Sequence, residues 1–536
     1  MKTIRLFIAV LIITLVGPTA ANENEKTPRA LNPVIWADVP DIAIIRVGNI
    51  YYMSSTTMHM SPGLPIMRSN DLVNWEVVSY AHGILGENEY LRLENGKNAY
   101  GRGTWASSLR YHEGVFYAST FSFTTGNTYV FTTRDIENGT WDRISFQPVL
   151  FDHTLFFDHD GKVYMLHGGG DIRITELKSD LTGVKPGGVN KVLIPDAGRL
   201  AAADLMLPAE GSQMIYHDGK YYLFNITWPR DGMRTVIVHR ANNILGPYEG
   251  RVALQDRGIA QGSIIQTPGG EWYAYMFRDF GAVGRIPYMI PMTWKDGWPV
   301  LGINGKVPDT LDIPVENIGV KGIVATDEFN RRGGDNTLPL VWQWNHNPDN
   351  RFWSLTQRRG HLRLTTGRVD SDVLQARNTL TQRTFGPLSS ATVSMDVRGM
   401  KDGDRAGLIA LQRRYGSVGV KMENGARYIF MVSAQDDTPV ELAKIPLDQN
   451  KVYLRIECDF RDRADIAYFY YSLNGRKWER IGAPLQMTYT LPQHFMGYRF
   501  GLFNYATNAP GGFVDFNFFR LSDRIGQQQN ATFRMF

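Results

Sequence analysis

Three carboxylic acids, a tryptophan and a glutamine stand at nearly the same distance before five tyrosines of the chain. Eleven or twelve residues separate each side chain from the tyrosine that follows it; the five are Asp41, Trp105, Asp152, Glu210 and Gln261. A repeated structural unit would bring such residues to equivalent places. Acid–base hydrolysis needs two carboxyl groups in different protonation states at one point. The spacing therefore predicts an active site that a repeat assembles.

The repeat itself is a turn that contains glycine, followed by a tyrosine that opens an apolar stretch. These tyrosines recur at intervals of 47 to 65 residues; they are Tyr52, Tyr117, Tyr164, Tyr222 and Tyr273. A turn between two apolar segments predicts a β-hairpin, and repeats of this length are typical of propeller blades. We therefore expect an all-β protein that begins with a five-bladed β-propeller over residues 30–310.

After residue 310 the repeat ends and the pattern changes. A connector over 311–326 contains Pro314 but no glycine–serine run, and long segments of alternating apolar and polar residues fill 327–524. Such segments, separated by polar turns, predict an antiparallel β-sandwich. The sandwich has two possible roles: a separate carbohydrate-binding module, or a body that packs on the propeller and completes the rim of its pocket. The short connector favours the second role.

Composition and charge exclude some classes of partner. The chain has 536 residues and a formal net charge of +4, without a basic patch interleaved with aromatic residues, so nucleic acid is not an expected partner. Twelve tryptophans and 25 tyrosines suit a surface that handles sugars. Cys458 is the only cysteine, and its position in an alternating segment predicts a buried structural thiol.

Residues 1–21 have the form of a signal peptide. A basic start precedes an apolar run over 6–16, and small residues stand at 19–21. The run is shorter than the roughly 20 residues that a membrane span needs, and the chain has no cysteine there for a lipid anchor. We expect a periplasmic protein without a membrane anchor, and a frayed tail at 527–530.

Several segments resemble the motifs of glycoside hydrolase family 43, in the order in which that family carries them. They are residues 32–48, residues 152–162, the pair Glu210-Gly211 and residues 283–300. The last part of the chain is similar to the concanavalin-like domain of the family's β-xylosidase branch. The whole resembles exported Bacteroidetes members that act on hemicellulose. The resemblance implies a propeller followed by this sandwich, and an inverting glycosidase.

The resemblance also assigns roles to the three acids. It makes Asp41 the general base, Glu210 the general acid, and Asp152 the acid that orients Glu210 and raises its pKa. A nearby like charge does keep a carboxyl protonated near neutral pH. An inverting pair lies roughly 6.5–9.5 Å apart, which leaves room for water. Asp38, three residues before Asp41, is the alternative base.

Five further side chains are candidates for contact with the sugar; they are Trp36, Trp105, Trp228, Gln261 and Arg285. Trp105 could stack on a sugar ring or plug the channel. Arg285 resembles the family's active-site arginine, with a surface salt bridge as its alternative role. In the sandwich, Tyr415 and the segment 503–505 are candidates for a loop that reaches the pocket.

Gln261 is a departure from the family pattern. Many relatives have histidine there, where it helps to hold a metal ion or water on the propeller axis. Because glutamine is a poorer metal ligand than imidazole, a structural calcium ion is not favoured in this chain. The sequence contains no Cys/His cluster with metal-ligand spacing, so we expect catalysis without a cofactor.

Together these features predict an exo-acting glycosidase with an oligosaccharide substrate, because a wall from the sandwich would close one end of the pocket. The expected product is α-L-arabinofuranose from hemicellulose side chains such as those of xyloglucan. β-D-Xylose from xylo-oligosaccharides is the alternative product. A sugar-binding propeller without catalysis is the third interpretation, and the presence of all three acids argues against it. The sequence makes no prediction of oligomeric state.

Overall fold

The structure is a computed structural model that describes residues 28–489 and 494–526. The predicted signal peptide (1–21) and tail (527–530) lie outside the described residues. Among the described residues, no helix has the length and apolar character that crossing a membrane requires. The helices there are four short 3₁₀ turns: Ala197–Leu200, Gly281–Val283, Val373–Gln375 and Arg461–Arg463.

The first half of the chain forms five antiparallel sheets of four strands each. The strands of this half are β1 (Ala43–Val47), β2 (Ile50–Ser54), β3 (Met60–Ser61), β4 (Gly63–Ser69), β5 (Glu76–His82), β6 (Ser108–His112), β7 (Val115–Ser122), β8 (Asn127–Thr133), β9 (Asp142–Phe146), β10 (Thr154–Phe157), β11 (Val163–His167), β12 (Ile172–Leu177), β13 (Asn190–Ile194), β14 (Leu205–His217), β15 (Lys220–Pro229), β16 (Thr235–Ala241), β17 (Glu249–Leu254), β18 (Ile259–Gln266), β19 (Trp272–Asp279), β20 (Arg285–Lys295) and β21 (Trp298–Leu301).

These sheets are the blades of a closed ring. The blades are β1-β2-β4-β5, β6 to β9, β10 to β13, β14 to β17 and β18 to β21. The first strands of neighbouring blades contact one another around the ring, and β18 of the fifth blade returns to β1 of the first. The predicted five-bladed propeller is confirmed.

The glycine-and-tyrosine repeat marks the first hairpin of every blade. Each repeat tyrosine lies on the second strand and pairs with a residue of the first strand. Each turn contains a glycine with positive φ, a conformation that strains other residues; the five are Gly48, Gly114, Gly161, Gly219 and Gly270. The repeat is therefore a local hairpin signal, which is why the sequence displays it.

The second half of the chain forms two antiparallel sheets that contact each other face to face. Its strands are β22 (Gln343–Asn345), β23 (Trp353–Ser354), β24 (Leu362–Thr365), β25 (Leu380–Arg383), β26 (Leu388–Asp396), β27 (Asp404–Leu411), β28 (Gly416–Glu423), β29 (Ala426–Ser433), β30 (Val440–Pro446), β31 (Lys451–Asp459), β32 (Ile466–Ser472), β33 (Glu479–Arg480), β34 (Leu485–Gln486), β35 (Arg499–Ala506) and β36 (Phe513–Ser522).

The two sheets confirm the predicted sandwich. One has the order β3-β22-β25-β35-β27-β28-β29-β30, and the other has the order β23-β24-β36-β26-β31-β32-β33, with β34 paired to β32. Alternate side chains of β31, such as Leu454 and Ile456, point into the core between the sheets. Cys458 of the same strand is also fully buried, as predicted.

Backbone pairing and a shared core fix the sandwich on the propeller. Strand β3 leaves the first blade and pairs with β22, so it becomes the edge of a sandwich sheet. Ala37 of the propeller forms a β-bridge with Phe385 of the sandwich. One cluster of buried apolar side chains runs from Ile35 in the propeller to Leu380 in the sandwich. Of the two roles considered for the sandwich, this geometry favours the one that completes the pocket.

Candidate active site

In four of the five blades, a residue in or just before the inner strand has the same left-handed backbone conformation. Four places before the partner of each repeat tyrosine stand Asp41, Ala106, Asp152, Gly211 and Gln261. All except Ala106 adopt the left-handed conformation, with φ between 43° and 68°. This conformation costs a residue such as glutamine about 1 kcal/mol and costs glycine little. The common backbone shape identifies these four residues as equivalent positions of the repeat.

The pairing of the strands shows that counting back from the tyrosine misses the equivalent position by one residue in two blades. Trp105 and Glu210 lie one residue earlier than the equivalent position, because the span from tyrosine to partner differs between blades. It is seven residues for Tyr117 and Tyr222 but eight for Tyr164 and Tyr273. The prediction that Trp105 and Glu210 share one position with Asp41 is therefore wrong by one residue.

Glu210 owes its placement to a β-bulge in the fourth blade. The pairing of β14 shifts between Glu210 and Gln213, where one extra residue is inserted. Gly211 takes the left-handed conformation inside the bulge, with a φ of 68°. Bulges re-aim neighbouring side chains and are common beside active sites. Asn225 Nδ2 donates to the carbonyl of Glu210 at 3.3 Å, which helps to hold this shape.

Asp41 is buried and paired with an arginine. Arg285 Nη1 donates to Asp41 Oδ1 at 2.5 Å, and both side chains are less than a tenth exposed. Burial raises the pKa of Asp41, while the positive charges of Arg285 and Arg234 oppose that rise. The ion pair thus counters the protonation that burial favours. A carboxylate held in this way is placed to accept a proton from water.

Glu210 has the environment of a general acid. Burial raises its pKa to about 7, the charges of Arg234 and Arg285 oppose the rise, and the like charge of Asp41 adds to it. A carboxyl with a pKa near 7 retains a proton in neutral solution and can donate it to a leaving oxygen. Asp41 and Glu210 therefore have different electrostatic surroundings: Asp41 forms an ion pair with Arg285, whereas the pKa of Glu210 is raised to about 7.

Asp152 lies against the backbone that carries Glu210. The N–H of Gly211 donates to Asp152 Oδ2 at 3.2 Å, and the N–H of Ser212 donates to the Asp152 carbonyl at 3.2 Å. Burial raises the pKa of Asp152 well above its usual range, and the charges of Glu210 and Asp41 raise it further. Two such carboxyls disfavour joint ionisation and behave as a coupled pair. These contacts are those that a residue orienting Glu210 would make.

Two charged residues beside these acids were missed by the sequence analysis. Asp279 faces Arg285 across β19 and β20, and its Oδ1 accepts from Arg285 Nε at 3.2 Å. Its other oxygen lies 2.8 Å from Arg234 Nε. Burial alone would raise the pKa of Asp279, but Arg285 and Arg234 hold it below its usual range. Arg234, Asp279, Arg285 and Asp41 thus form a row of alternating charges.

A sandwich loop reaches this row of charges. The hydroxyl of Tyr489 donates to Asp279 Oδ1 at 3.1 Å and accepts from Arg285 Nε at 3.2 Å. The ring centroid of Phe495 lies 4.8 Å from the Arg285 guanidinium. The sequence therefore predicted a sandwich contribution to the rim but chose the wrong residues for it.

The residues chosen were Tyr415 and the segment 503–505. Tyr415, Phe503 and Tyr505 instead pack in a buried cluster inside the sandwich. The hydroxyl of Tyr415 donates to Asp372 Oδ2 at 2.8 Å, within that same domain. Their aromatic side chains serve the core, as most aromatic residues of the sandwich do.

The three candidate tryptophans have different surroundings. Trp105 is partly buried, and its ring meets Phe495 edge-on with centroids 5.5 Å apart. Trp228 lies in the fourth blade beneath the guanidinium of Arg234, at 5.1 Å. Trp36 packs edge-on against Phe280 at 5.2 Å, at the junction with the sandwich. Trp105 and Trp228 therefore border the charged residues, whereas the contacts of Trp36 belong to the domain interface.

Gln261 lies beside the bulge and not in a metal-binding group. A Cβ atom on Gly211 would come within 2.8 Å of the Gln261 amide carbon, so the two residues are in direct contact. Among residues 28–489 and 494–526, no group of three or more His, Cys, Asp or Glu side chains is arranged to hold a metal ion. Gln261 can offer calcium only one neutral oxygen, and the affinity of a calcium site increases with the charge of its ligands.

Asp38, the alternative base, makes contacts of a structural kind. Its Oδ1 accepts the N–H of Arg285 at 2.7 Å, and its carboxylate also accepts the N–H of Gly497. Its carbonyl accepts from Arg383 Nε at 2.9 Å. Asp38 thus links β20 of the propeller to the sandwich, directly behind Arg285.

Family models match both halves of the chain. The model of glycosyl hydrolases family 43 matches residues 30–299, and that of the β-xylosidase C-terminal concanavalin A-like domain matches residues 326–522. A curated β-xylosidase from Formosa agariphila is 30% identical, covering 91% of this chain and 89% of the relative. A non-reducing end α-L-arabinofuranosidase from Bacteroides ovatus is 29% identical, covering 66% of this chain and 68% of the relative.

A solved structure is more similar still. A bifunctional GH43-CE protein from Bacteroides eggerthii is 59% identical, with a TM-score of 0.91 over 93% of this chain. This chain spans 64% of the length of that protein. The match extends over the propeller and the sandwich together, as the shared core of the two bodies requires.

Proposed function

The chain belongs to glycosyl hydrolase family 43, and from this premise we propose that it is an exo-acting, inverting glycosidase that releases a terminal non-reducing pentose from hemicellulose. The observation that carries the proposal is the pair of unlike carboxyls. Glu210 has a pKa raised to about 7, while Asp41 is paired with Arg285 at 2.5 Å. Glu210 thus holds a proton in neutral solution, while Arg285 stabilises the anionic form of Asp41 against the burial that raises its pKa.

In the proposed reaction Glu210 donates its proton to the glycosidic oxygen as the bond to the anomeric carbon breaks. Asp41 accepts a proton from a water molecule, whose oxygen attacks the anomeric carbon from the opposite face. The product sugar therefore has inverted configuration. Asp152 orients Glu210 through its hydrogen bond with Gly211 N–H. Arg285 holds Asp41 through their ion pair, and in this proposal it would also bind a hydroxyl of the sugar.

The exo mode is supported by the aromatic wall at one side of the acids. Trp105 and Tyr489 pack with Phe495 in one apolar cluster, which joins the second blade to the sandwich loop. A wall in this place would stop the sugar chain from extending past the two acids. Only a terminal residue of the oligosaccharide would then reach Asp41 and Glu210.

Two sugars are candidates for the released residue. α-L-Arabinofuranose, from side chains such as those of xyloglucan, is the first; the Bacteroides ovatus relative named for this activity supports it. β-D-Xylose is the second, and the β-xylosidase from Formosa agariphila supports it over a larger share of the chain. Both sugars offer similar hydroxyl patterns, so the proposed machinery serves either.

The test is a comparison of kcat/KM on 4-nitrophenyl α-L-arabinofuranoside and 4-nitrophenyl β-D-xylopyranoside. We expect turnover of at least one, with inverted product by NMR. Asp41→Asn should lower kcat by about 10²–10⁴-fold, the usual contribution of a general base. Asp38→Asn, the matched control, should lower it less than about tenfold, because Asp38 contacts only backbone and arginine groups in our assignment.

Azide provides a check on the role of the base, since this anion attacks without giving up a proton. It should restore part of the turnover of Asp41→Asn and yield the glycosyl azide of inverted configuration. No turnover of either pentoside by the wild type would contradict the proposed function. Equal losses in the Asp38 and Asp41 variants would contradict the assignment of the base.

We also propose that catalysis needs no metal or cofactor and that the protein is exported to the periplasm. The first proposal is supported by Gln261 at the axis and is tested below with a chelator. The second rests on the pattern of residues 1–21. Cell fractionation together with the N-terminal sequence of the mature protein would test it.

A further inference from the structure

We propose that Tyr489, on the sandwich, is a positioning residue for the general base, acting on Asp41 through Arg285 and Asp279. The inference rests on the proposed function, because it assigns Asp41 the role of base. It makes the sandwich part of the catalytic machinery through a hydrogen bond as well as through an aromatic wall.

Tyr489 contacts the arginine that holds the base. Arg285 Nε donates to the Tyr489 hydroxyl at 3.2 Å and to Asp279 Oδ1 at 3.2 Å, while Arg285 Nη1 donates to Asp41 at 2.5 Å. The Tyr489 hydroxyl has two acceptors, Asp279 Oδ1 at 3.1 Å and the carbonyl of Phe495 at 3.3 Å, and Asp279 is the nearer. One face of Arg285 is therefore fixed by three partners, and one of these comes from the other domain.

The loop that carries Tyr489 is tied to the backbone of Arg285 itself. Asp38 accepts the N–H groups of both Arg285 and Gly497. The N–H of Tyr498 donates to the carbonyl of Ala282 at 2.9 Å, three residues before Arg285. The N–H of Thr488, the neighbour of Tyr489, donates to the Tyr498 hydroxyl at 3.2 Å, so short connections set the position of Tyr489 relative to Arg285.

Asp279 and Tyr489, two partners of Arg285, have opposite effects on the pKa of Asp41. Arg285 and Arg234 lower the pKa of Asp41, and Asp279 raises it. The other groups that face this site are Glu210 and Asp152, on the fourth and third blades. Burial keeps the Tyr489 phenol neutral by raising its pKa well above the usual range. Its hydroxyl dipole points its positive end at Asp279 and offsets part of that negative charge.

Two single substitutions should therefore move the acid limb of the pH–rate profile in opposite directions. Tyr489→Phe removes the donor from Asp279, so the pKa of Asp41 should rise and the acid limb should move to higher pH. Asp279→Asn removes the charge that raises the pKa of Asp41, so the acid limb should move to lower pH. A hydrogen bond to a charged group corresponds to about a tenfold change in rate.

The experiment measures kcat and KM from pH 4 to 9 for the full-length wild type and three variants. Tyr489→Phe should lower kcat about tenfold with KM changed less than about threefold, since the base acts in the transition state. Tyr415→Phe is the matched control: it removes a tyrosine–aspartate hydrogen bond of 2.8 Å within the sandwich, away from Arg285. Tyr415→Phe should leave kcat and both limbs of the pH–rate profile unchanged. Thermal melts show whether each variant is folded.

A shift of the acid limb in the same direction for Tyr489→Phe and Asp279→Asn, or no shift in folded Tyr489→Phe, would overturn the proposal. The test remains decisive if the wild type hydrolyses neither pentoside, which would defeat the proposed function alone. In that case NMR titration of the Asp41 carboxyl carbon in the wild type and in Tyr489→Phe measures the same shift without turnover. Equal values in the two proteins would overturn the inference.

Discussion

Replacing the general acid should make the protein more stable as well as inactive, and the gain should depend on pH. In the folded protein the pKa of Glu210 is raised to about 7 from an ordinary value of 4.5, chiefly by burial. Each unit of such a shift corresponds to about 1.4 kcal/mol. The raised pKa therefore costs the folded state about 3 kcal/mol once the solution is above pH 7.

The sign follows from proton linkage. Below pH 4.5 the carboxyl is protonated in both the folded and the unfolded protein, so it adds no pH dependence. Between pH 4.5 and 7 the unfolded state has released a proton that the folded state retains, and stability falls as pH rises. Glu210→Gln removes this titration. Its unfolding free energy relative to the wild type should increase by up to about 3 kcal/mol between pH 4.5 and pH 8.

About 3 kcal/mol is the largest difference expected, because Asp152 takes over part of the effect. Glu210 raises the pKa of Asp152, so the pKa of Asp152 should fall when the charge at 210 is removed. Glu210→Gln should still become more stable relative to the wild type as the pH rises. The variant has no titrating group at 210, and the pKa of its Asp152 is raised less.

Urea denaturation at pH 4.5 and pH 8 measures this difference directly, with the m-value as a check that the unfolding transition is the same. Glu249→Gln is the control: this glutamate is on β17 of the same blade, is two-thirds exposed and pairs with Arg240 at the surface. Its effect should stay below about 1 kcal/mol at either pH. If Glu210→Gln gains no stability at pH 8 relative to pH 4.5, burial of the acid is not the source of its raised pKa. The wild type should also lose kcat/KM above about pH 7.

Two other predictions concern the bulge and the axis. Gly211→Ala should lower the unfolding free energy by about 1–3 kcal/mol, because φ is 68° and a Cβ would lie 2.8 Å from Gln261. Adding Gln261→Ala should recover only the part of this loss that comes from the clash with Gln261. Full recovery of stability in thermal melts would contradict the contribution of the left-handed backbone. Dialysis against EDTA should leave kcat within twofold of the untreated enzyme, and added calcium should not raise it, since Gln261 adds no negative charge to bind the ion. A loss of kcat that calcium restores would contradict this reasoning.

The parts of the fold that the sequence predicted are those with local signals. A hairpin needs a left-handed turn residue within a few positions of its strands, so Gly48 and Gly219 stand close to the tyrosines they introduce. The bulge at Gly211 is different, because an inserted residue alters the pairing without altering the hairpin motif. Counting back from Tyr222 gave Glu210 the wrong structural equivalence for a separate reason: Tyr222 stands seven residues after its partner, whereas Tyr164 and Tyr273 stand eight residues after theirs.

The missed residues act through contacts between distant parts of the chain. Tyr489 and Asp279 are 210 residues apart and belong to different domains. No periodic pattern in the sequence connects them. Tyr415 was an equally good candidate for the rim of the pocket, because every sandwich core contains aromatic residues. Asp279 had a weak signal in the sequence, since it stands six residues before Arg285 and pairs with it beside the turn of one hairpin. Arg234 lies between β15 and β16, outside the repeat, and had none.

The bulge in the fourth blade gives the two carboxyls that we propose as base and acid different routes to the axis. Asp41 extends from the left-handed position itself, whereas Glu210 extends from the residue before Gly211. The left-handed residue of that blade has to be glycine, because the side chain of Gln261 occupies the space that a Cβ would need. A five-fold repeat with equal side chains would place equal carboxyls around the axis, and these would titrate and reach alike. The shift by one residue gives the acid a different backbone origin from that of the base. Glutamate at 210 also has a longer side chain than aspartate at 41. Base and acid can then address opposite faces of one sugar, as inversion requires.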